Sequence, residues 1–449
     1  MLTEVEVTSD RWFSEWRGRE LSRVDAAGLT YLDYGGAALH PASLLRDDLA
    51  RLDRTVLGNP HSQHAASRGA THDLDAAREA ILAFLNADPD EYAVVLVANA
   101  SAACRVVGEA YPFDAATPLL LTADNHNSVN GIREFATGRG ALVTTIPLDD
   151  ELQLLDPVEV LAQSSGGYGG LLGFPAQSNF SGVRHSLELI DVAHQLGYRV
   201  LLDAAAYLPT MSLDLSAVRP DFVVLSIYKI AGYPAGLGAL VARRDALAAL
   251  QRPWFAGGTV EWASVQSGVH RLRHGAEGFE DGTPPFLAAG AVPPALAMVR
   301  GLQPRLRRQL ASLTTSMLDG LGALRHENDA PRVSIHGPRS CADRGATVAF
   351  TLLEATGDVV PFWEVEAKAS DAGLALRGGC FCNPGCAERA LDFPTDAASR
   401  FAAIGPAFDY PHAAAALGRR AVGALRASLG LGSVQRDVDR LMEFLRNYG

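Results

Sequence analysis

Lysine is almost absent from this sequence. Lys229 and Lys368 are the only lysines among 39 lysine and arginine residues, so the other 37 basic residues are arginine. Arginine can replace lysine on a solvated surface, but it stays protonated and cannot supply the neutral amine that bonds covalently to an aldehyde. Lys229 lies in the apolar run "LSIYKIAGYPAGLGAL" (225–240). We therefore expect it to be a covalent anchor for an aldehyde cofactor rather than a surface residue.

Cysteine and long apolar segments are also scarce. The five cysteines are too few, and odd in number, for a disulfide framework, and they favour a reducing cytoplasm. No apolar run reaches the length of a membrane span, and the acidic start "MLTEVEVTSDRWFSEW" does not resemble a signal peptide. The net charge of −12 argues against nucleic acid or an anionic membrane as a principal partner. We expect a cytoplasmic protein without either partner.

The pattern of apolar runs indicates an α/β fold. Runs such as "YAVVLVAN", "PLLLTAD", "YRVLLDAAA" and "DFVVLSIYK" are apolar throughout, as in strands buried on both faces, and helical spacing separates them. This predicts a mostly parallel central sheet with helices on both faces, which binds ligands at the carboxyl ends of its strands. A change of composition in 284–304 suggests a large domain at 31–289. A smaller α+β domain would span 290–449, with 1–30 packing nearby.

Polar residues follow two of the predicted strands. Asn99, Ala100 and Ser101 open a helix after "AVVLV", where backbone N–H groups can hold a phosphate, although this turn taken alone is better explained as an ordinary helix cap. His126 follows "PLLLTAD" and could stack on a ring or move a proton.

Two further predicted strands also end in polar residues. Asp203 ends an apolar strand, and a carboxylate there needs a partner, for which a pyridinium nitrogen is suitable. Ser226 lies three residues before Lys229 and could bind phosphate. Together these residues predict a phosphate cradle, a stacking histidine, a ring-nitrogen aspartate and a lysine anchor.

These motifs resemble the class V aminotransferase family of pyridoxal-phosphate enzymes. The segments "GNPHS", "DNHNSV", "PAQSNFSG", "LLDAAA", "FEDGT" and "GCFCNPG" are similar to the cysteine desulfurase-like domain of molybdenum cofactor sulfurases. The resemblance runs from about Leu32 to the last predicted helix. It implies fold type I of the pyridoxal-phosphate enzymes, and pyridoxal 5'-phosphate as the cofactor.

The resemblance also implies roles for single residues. Lys229 would bind the cofactor covalently and transfer protons, and Asp203 would pair with the pyridine nitrogen. His126 would stack on the ring, and Asn179 of "SNFSG" would lie near the ring hydroxyl.

The resemblance assigns the phosphate to hydroxyl side chains. Ser101 and Ser226 would hold it, joined by Thr283 from a second subunit, which implies a homodimer with shared active sites. The chain departs from the family where Asn99 and Ser101 replace a usual Gly and Thr. It also has Ala206 where bacterial desulfurases carry Gln.

Three cysteines lie together in "GCFCNPGC". Cys380, Cys382 and Cys386 have no nearby histidine, so they make a weak zinc site, and we expect no metal. The alternative is a nucleophilic thiolate on a mobile loop, activated by nearby cationic groups. In the resembling family, the cysteine at the place of Cys382 attacks the substrate sulfur and becomes a persulfide. Whether Cys380 and Cys386 relay sulfur stays open.

Arginines are the candidates for binding a substrate carboxylate, because their planar fork donates two parallel hydrogen bonds. Arg426 in "LRASLG" matches the family's carboxylate-binding segment, and Arg377 in "LALRGGC" is the second candidate.

The predicted function is a cysteine desulfurase-type sulfurtransferase that converts L-cysteine to L-alanine. Because the sequence ends soon after "FLRNYG", without the additional C-terminal domain of long molybdenum cofactor sulfurases, we expect the sulfur acceptor to be a separate, unidentified molecule. The alternatives are a pyridoxal-phosphate C–S lyase, decarboxylase or class V aminotransferase of a specialised pathway. A non-enzymatic sulfur-relay or scaffold role is a third hypothesis.

Overall fold

The computed structural model describes residues 4–164 and 169–448. The helices of these residues are α1 Glu4–Glu20, α2 Ser22–Ala26, α3 Ala42–Arg54, α4 Ala65–Phe84, α5 Ala100–Ala110, α6 Asn127–Asn130, α7 Ile132–Gly138, α8 Pro157–Ser164, α9 Leu189–Gln195, α10 Ile227–Ala231, α11 Arg244–Ala249, α12 Phe286–Ala289, α13 Val292–Ala323, α14 Phe362–Asp371, α15 Pro384–Ala390, α16 Ala397–Ile404, α17 Tyr410–Ala416 and α18 Gln435–Arg446.

The strands of the same residues are β1 Thr30–Tyr31, β2 Tyr92–Val97, β3 Leu119–Thr122, β4 Val143–Ile146, β5 Leu171–Pro175, β6 Arg199–Asp203, β7 Phe222–Ser226, β8 Gly238–Arg243, β9 Val260–Ala263, β10 His270–Leu272, β11 Val333–His336, β12 Thr347–Leu352, β13 Leu374–Ala375, β14 Arg377–Gly379 and β15 Ala424–Ser428. Among the helices described, none combines the length and the apolar character needed to cross a bilayer.

A seven-stranded sheet forms the centre of the larger part of the molecule. Its strand order is β2-β8-β7-β6-β5-β3-β4, and β8 runs antiparallel to both of its neighbours while the other strands point the same way. The expectation of a mostly parallel α/β sheet is confirmed. Because β2 and β7 each oppose β8, the carboxyl ends of β2, β3, β5, β6 and β7 meet at one edge.

Both faces of this sheet are buried, as the continuous apolar runs predict. Along β2, Val94 and Leu96 belong to the core on one face, and Ala93 and Val95 belong to the core on the other. Each fully buried side chain of this size stabilises the fold by about 1.5–3 kcal/mol.

A second, four-stranded antiparallel sheet has the order β11-β12-β15-β14. Its core includes Phe13 and Trp16 of α1, so the N-terminal helix packs against this part of the molecule. Helix α13 runs without interruption through the region where the composition changes. Val292 and Leu296 at its start pack in the core of the seven-stranded sheet, and Leu313 in a later turn packs in the core of the four-stranded sheet. The division near residue 290 stays a prediction.

Candidate active site

Lys229 lies on the short helix α10, directly after β7. The helix ends at Gly232, whose φ of 76° is left-handed, and a Cβ at this position would lie 2.3 Å from the backbone nitrogen of His40. Glycine is therefore required where the chain turns away. Burial lowers the pKa of Lys229, while the charge of Asp203 raises it and that of Arg426 lowers it. The net shift favours the neutral amine that covalent attachment needs.

A cleft of about 670 Å³ opens around Lys229 at the carboxyl edge of the large sheet. Most of the cofactor-binding residues predicted from the sequence meet there, although they come from five segments of the chain. Its lining includes Asn99, Ala100, Ser101, His126, Asn179, Asp203, Ser226 and Lys229.

His126 and Asp203 both line this cleft. The His126 Nδ1 accepts a hydrogen bond from the Ser128 backbone N–H at 3.1 Å, so the ring caps α6 and is fixed in orientation. Burial lowers the pKa of His126, which keeps the ring neutral near neutral pH, although Asp203 acts in the opposite direction. The Asp203 carboxylate is buried and accepts from the Ala205 N–H at 2.9 Å.

The turn before α5 has the features of an anion cradle. Asn99 has an extended backbone, with φ of −172°, and its Oδ1 accepts from the Ala102 N–H at 3.0 Å. The replacement of the family's glycine therefore leaves the turn unstrained, because any residue can adopt this conformation. The Ala100 N–H donates to Ser226 Oγ at 2.9 Å, and the exposed Ser101 hydroxyl lies 2.5 Å from that of Ser128.

Thr283 does not line the cleft of its own chain. It is exposed and lines a separate, larger pocket next to α5, together with Trp254 and Arg252. Its hydroxyl accepts a hydrogen bond from the Asn59 side chain at 3.3 Å. A contribution to the site of a second subunit stays a prediction.

Arg426 and Arg377 are joined by Asp33, which the sequence analysis did not identify. Arg377 donates to the Asp33 carboxylate from Nε, 2.9 Å from both oxygens, and from Nη2, 2.5 Å from Oδ2. Arg426 Nη2 donates to Asp33 Oδ1 at 3.0 Å. Arg426 is 2% exposed, and its Nη1 donates to the backbone carbonyl of Asn179 at 2.9 Å. In the sequence, Asp33 stands in "YLDYGG", close after a strand of only two residues, and this context indicated no role for its carboxylate.

The Gly-Gly pair that follows Asp33 leaves room for this cluster. A Cβ on Gly36 would lie 2.6 Å from Asp33 Oδ2, and a Cβ on Gly35 would lie 3.1 Å from Arg426 Cζ. Burial lowers the pKa of Arg426, and the Asp33 charge opposes this effect. Arg426 is thus a buried cation held beside the cleft by one carboxylate.

The cysteine segment forms a turn that several hydrogen bonds hold to neighbouring segments. Phe381 and Cys382 have φ of 54° and 55°, which is the left-handed region that non-glycine residues adopt rarely. The Cys382 carbonyl accepts from the Asn127 N–H at 2.7 Å, and the Phe381 carbonyl accepts from the Asn179 side chain at 2.7 Å. Asn383 donates to the Asp124 carbonyl at 2.6 Å, which ties the turn to the histidine segment.

The three cysteines of this segment differ in exposure. Cys382 is exposed, and its charge contributes to the pKa shifts of both Lys229 and Arg426, so its thiol lies near the cleft. Burial raises the pKa of Cys380 to about 11 and that of Cys386 well above its ordinary value. Of these three cysteines, only Cys382 therefore combines access to solvent with proximity to Lys229 and Arg426.

Gln177 is another cleft residue that the sequence analysis missed. Its Nε2 donates to the Ala206 carbonyl at 3.1 Å, while its buried Oε1 has no hydrogen-bond partner among the described residues. Gln177 occurs in the same motif as Asn179, "PAQSNFSG", and its position in the sequence gave no indication that it also lines the cleft.

The residues present fit pyridoxal phosphate. The Asp203 carboxylate is buried, and no cationic side chain of the described residues lies within 4.0 Å of it. A positively charged ring nitrogen would therefore supply the partner that a buried carboxylate needs. The hydroxyls and the start of α5 provide donors for a phosphate, and Lys229 provides an amine with a lowered pKa.

Comparison with known proteins agrees with this arrangement. The sequence profile of the family described as "Aminotransferase class-V" matches residues 30–441. Molybdenum cofactor sulfurase of Solanum lycopersicum is 32% identical over 98% of this chain, and that of Bos taurus is 35% identical over 84%. The chain spans 57% and 45% of these two relatives, about half of their length.

Solved structures share the fold. Cysteine desulfurase from Thermococcus onnurineus NA1 superposes with a TM-score of 0.79 at 22% identity, covering 96% of each chain. The cystine C–S lyase C-DES, in complex with its reaction product cysteine persulfide, gives a TM-score of 0.70 at 19% identity, covering 94% of this chain and 98% of the other. The expected fold type is confirmed by these similarities.

Proposed function

The chain belongs to the class V aminotransferase family, and from that premise we propose that it is a pyridoxal-phosphate-dependent sulfurtransferase of the cysteine desulfurase type. The observation that carries the proposal is the exposed Cys382, fixed by hydrogen bonds at the border of the cleft that contains Lys229, Asp203 and His126. A lyase, decarboxylase or aminotransferase has no need for a thiol held in this position.

Pyridoxal phosphate supplies an electron sink that weakens the bonds at Cα of the bound amino acid. Lys229 would hold its aldehyde and, when released, accept or return a proton, for which the lowered pKa of its amine is suitable. Asp203 would neutralise the ring nitrogen, and neutral His126 would cover a face of the ring. Ser101, Ser226 and the start of α5 would bind the phosphate.

Arg426 would bind the substrate carboxylate. Its guanidinium lies beside Asn179, which lines the cleft, and its buried Nε has no hydrogen-bond partner among the described residues. A carboxylate could accept from this unused donor and an adjacent N–H of the same fork. Arg377 is half-exposed and donates to Asp33, so we assign it a positioning role.

Cys382 would take the sulfur of the bound L-cysteine. Its thiolate forms a bond with the substrate sulfur while the bond from that sulfur to the substrate's Cβ breaks, and the released carbon gains a proton. The products are L-alanine and a persulfide on Cys382, so no external oxidant or reductant is needed. The persulfide then passes to a separate acceptor.

The proposal includes a homodimer that shares its active sites. Large apolar side chains are exposed around the β9–β10 hairpin, namely Trp254, Phe255, Trp262, Val265 and Val269. Monomeric proteins rarely expose such a cluster. Thr283 lies in the same region. A second copy of the chain that packs on this surface would therefore receive the Thr283 hydroxyl at its own active site. We also propose a cytoplasmic location, because all five cysteines are free.

Product identification tests this function. Purified, cofactor-loaded protein incubated with L-cysteine is expected to release alanine and to carry a persulfide that mass spectrometry assigns to Cys382. Cys382→Ala should lose both products, whereas the matched variant Cys386→Ala, which removes a buried thiol, should retain them. Pyruvate as the main product would identify a C–S lyase instead, and unchanged turnover of Cys382→Ala would remove the thiol from the mechanism.

A further inference from the structure

A second pocket, away from the lysine cleft, is lined by an unusual number of arginines. It lies between α13 and the segment that precedes β12, and it has a volume of about 870 Å³. Arg184, Arg307, Arg308 and Arg344 line it, and none of the other described lining residues is acidic. The four cations come from three separate segments, so the fold brings them together.

Within the described part of the chain, none of these four arginines lies within 4.0 Å of a carboxylate oxygen. Arg184 is held by the backbone carbonyls of Cys341 and Ala342, at 3.2 and 2.6 Å. Arg307 and Arg308 are exposed on α13. Because like charges repel one another, an anion that enters this pocket is attracted by all four arginines and lowers their mutual repulsion.

Two buried polar atoms of the pocket are also without partners. Arg344 is 2% exposed. Its Nη1 donates to the Pro338 carbonyl and its Nη2 to the carbonyls of Ser181 and Thr347, whereas its Nε has no hydrogen-bond partner among the described residues. The Oγ1 of Thr314, which is 2% exposed, has none either. Buried donors normally find a partner, so both atoms indicate a ligand with several acceptor oxygens.

We propose that this pocket binds the phosphate group of a small molecule. Arginine forks match the oxygens of a phosphate, and a hydroxyl can add a further donor. The pocket shares Thr210 and Ala346 with a narrow crevice that Lys229 also lines, so the ligand would lie beside the active site. The inference rests on the arginines alone and does not depend on the reaction catalysed.

Cys341 provides a reporter at the site, because it lines the same pocket and is partly exposed. The holoenzyme is alkylated with iodoacetate, an anion, or iodoacetamide, its neutral analogue, and peptide mapping measures the rate at Cys341. The ratio of the two rates should exceed that of N-acetylcysteine amide, an uncharged reference thiol, by about threefold or more, because the arginines concentrate the anion. Inorganic pyrophosphate, at constant ionic strength, should slow the iodoacetate reaction.

The double variant Arg307→Ala/Arg308→Ala removes two exposed charges without disturbing buried contacts. Its rate ratio should fall toward that of N-acetylcysteine amide, and pyrophosphate should no longer protect. The control Arg46→Ala/Arg54→Ala changes the net charge equally on another helix, also at exposed positions, and should behave like the wild type. A wild-type ratio equal to that of N-acetylcysteine amide, or equal protection in the double variant, would overturn the proposal.

Calorimetry gives a second measurement that does not depend on the reactivity of Cys341. Pyrophosphate titrated into the holoenzyme, whose cofactor already fills the other phosphate site, should bind to the wild type and to the control. It should not bind to Arg307→Ala/Arg308→Ala. A wild type that binds no pyrophosphate would contradict the inference.

Discussion

The substitution Asp33→Asn tests how the substrate arginine is held. Asp33 neutralises both Arg426, which is 2% exposed, and Arg377, and the two guanidinium charges repel each other once it is removed. Asparagine keeps the shape of the side chain and one acceptor oxygen but removes the charge. The variant therefore isolates the electrostatic contribution.

The expected loss of stability follows from the burial of the pair. Breaking a buried ion pair by removing one partner costs roughly 3–5 kcal/mol, and the partial exposure of Arg377 reduces this to about 2–4 kcal/mol. Urea unfolding of the cofactor-free protein measures it. The matched control Asp150→Asn removes a carboxylate that is 93% exposed, and should change the free energy of unfolding by less than about 0.5 kcal/mol.

The same variant should weaken substrate binding. Repulsion from Arg377 would move Arg426 from its position beside Asn179, so we expect KM for L-cysteine to rise by about tenfold, with a smaller change in kcat. Arg377→Ala should have the weaker effect on both measurements, because Arg377 is half-exposed. If Asp33→Asn is as stable as the wild type and has the same KM, the carboxylate does not hold Arg426 and the reasoning is refuted.

Three further predictions concern single side chains. Asp203→Asn should lower kcat by about 100-fold or more, because the ring nitrogen loses its counter-charge, and steady-state alanine formation measures this. Cys380→Ala should keep turnover within about twofold of the wild type, since burial raises the pKa of this thiol to about 11; a large loss would assign it a role in sulfur transfer. Burial lowers the pKa of His336 to about 4 from 6.5, so the unfolded state binds more protons between these pH values and stability falls as the pH drops. When the pH is lowered from 7 to 5, the free energy of unfolding should fall by about 1–2 kcal/mol more in the wild type than in His336→Gln. An equal fall in the two proteins would contradict the lowered pKa of His336.

The sequence predicted the central sheet well because its strands are buried on both faces. β2 is apolar at every position and β7 at every position before its last residue, Ser226, and this pattern recurs over several successive segments. The order of polar residues after these strands was informative for a related reason. Parallel strands end at one edge, so Asp203, Ser226 and Lys229 were expected to meet before any contact was known.

The missed residues depend on contacts between distant segments. Asp33 acquires its role from Arg377 and Arg426, which lie more than 340 residues away along the chain, and no local pattern indicates such a pairing. The hydrogen bonds by which Asn179 and Asn383 hold the cysteine turn were missed for the same reason, and the mobility of this turn stays a prediction. The arginine pocket was hidden by the abundance of arginine throughout the sequence.

The most direct test of the account locates the cofactor on the chain. Borohydride reduction of the holoenzyme should make the bond to the cofactor permanent, and peptide mapping should find it on Lys229. The chain offers a matched control, because Lys368, which lies over the Tyr448 ring at 4.3 Å, is the only other lysine. Lys229→Arg should retain no covalently attached cofactor, and Lys368→Arg should retain it fully. Cofactor found on Lys368, or on neither lysine, would contradict the central claim.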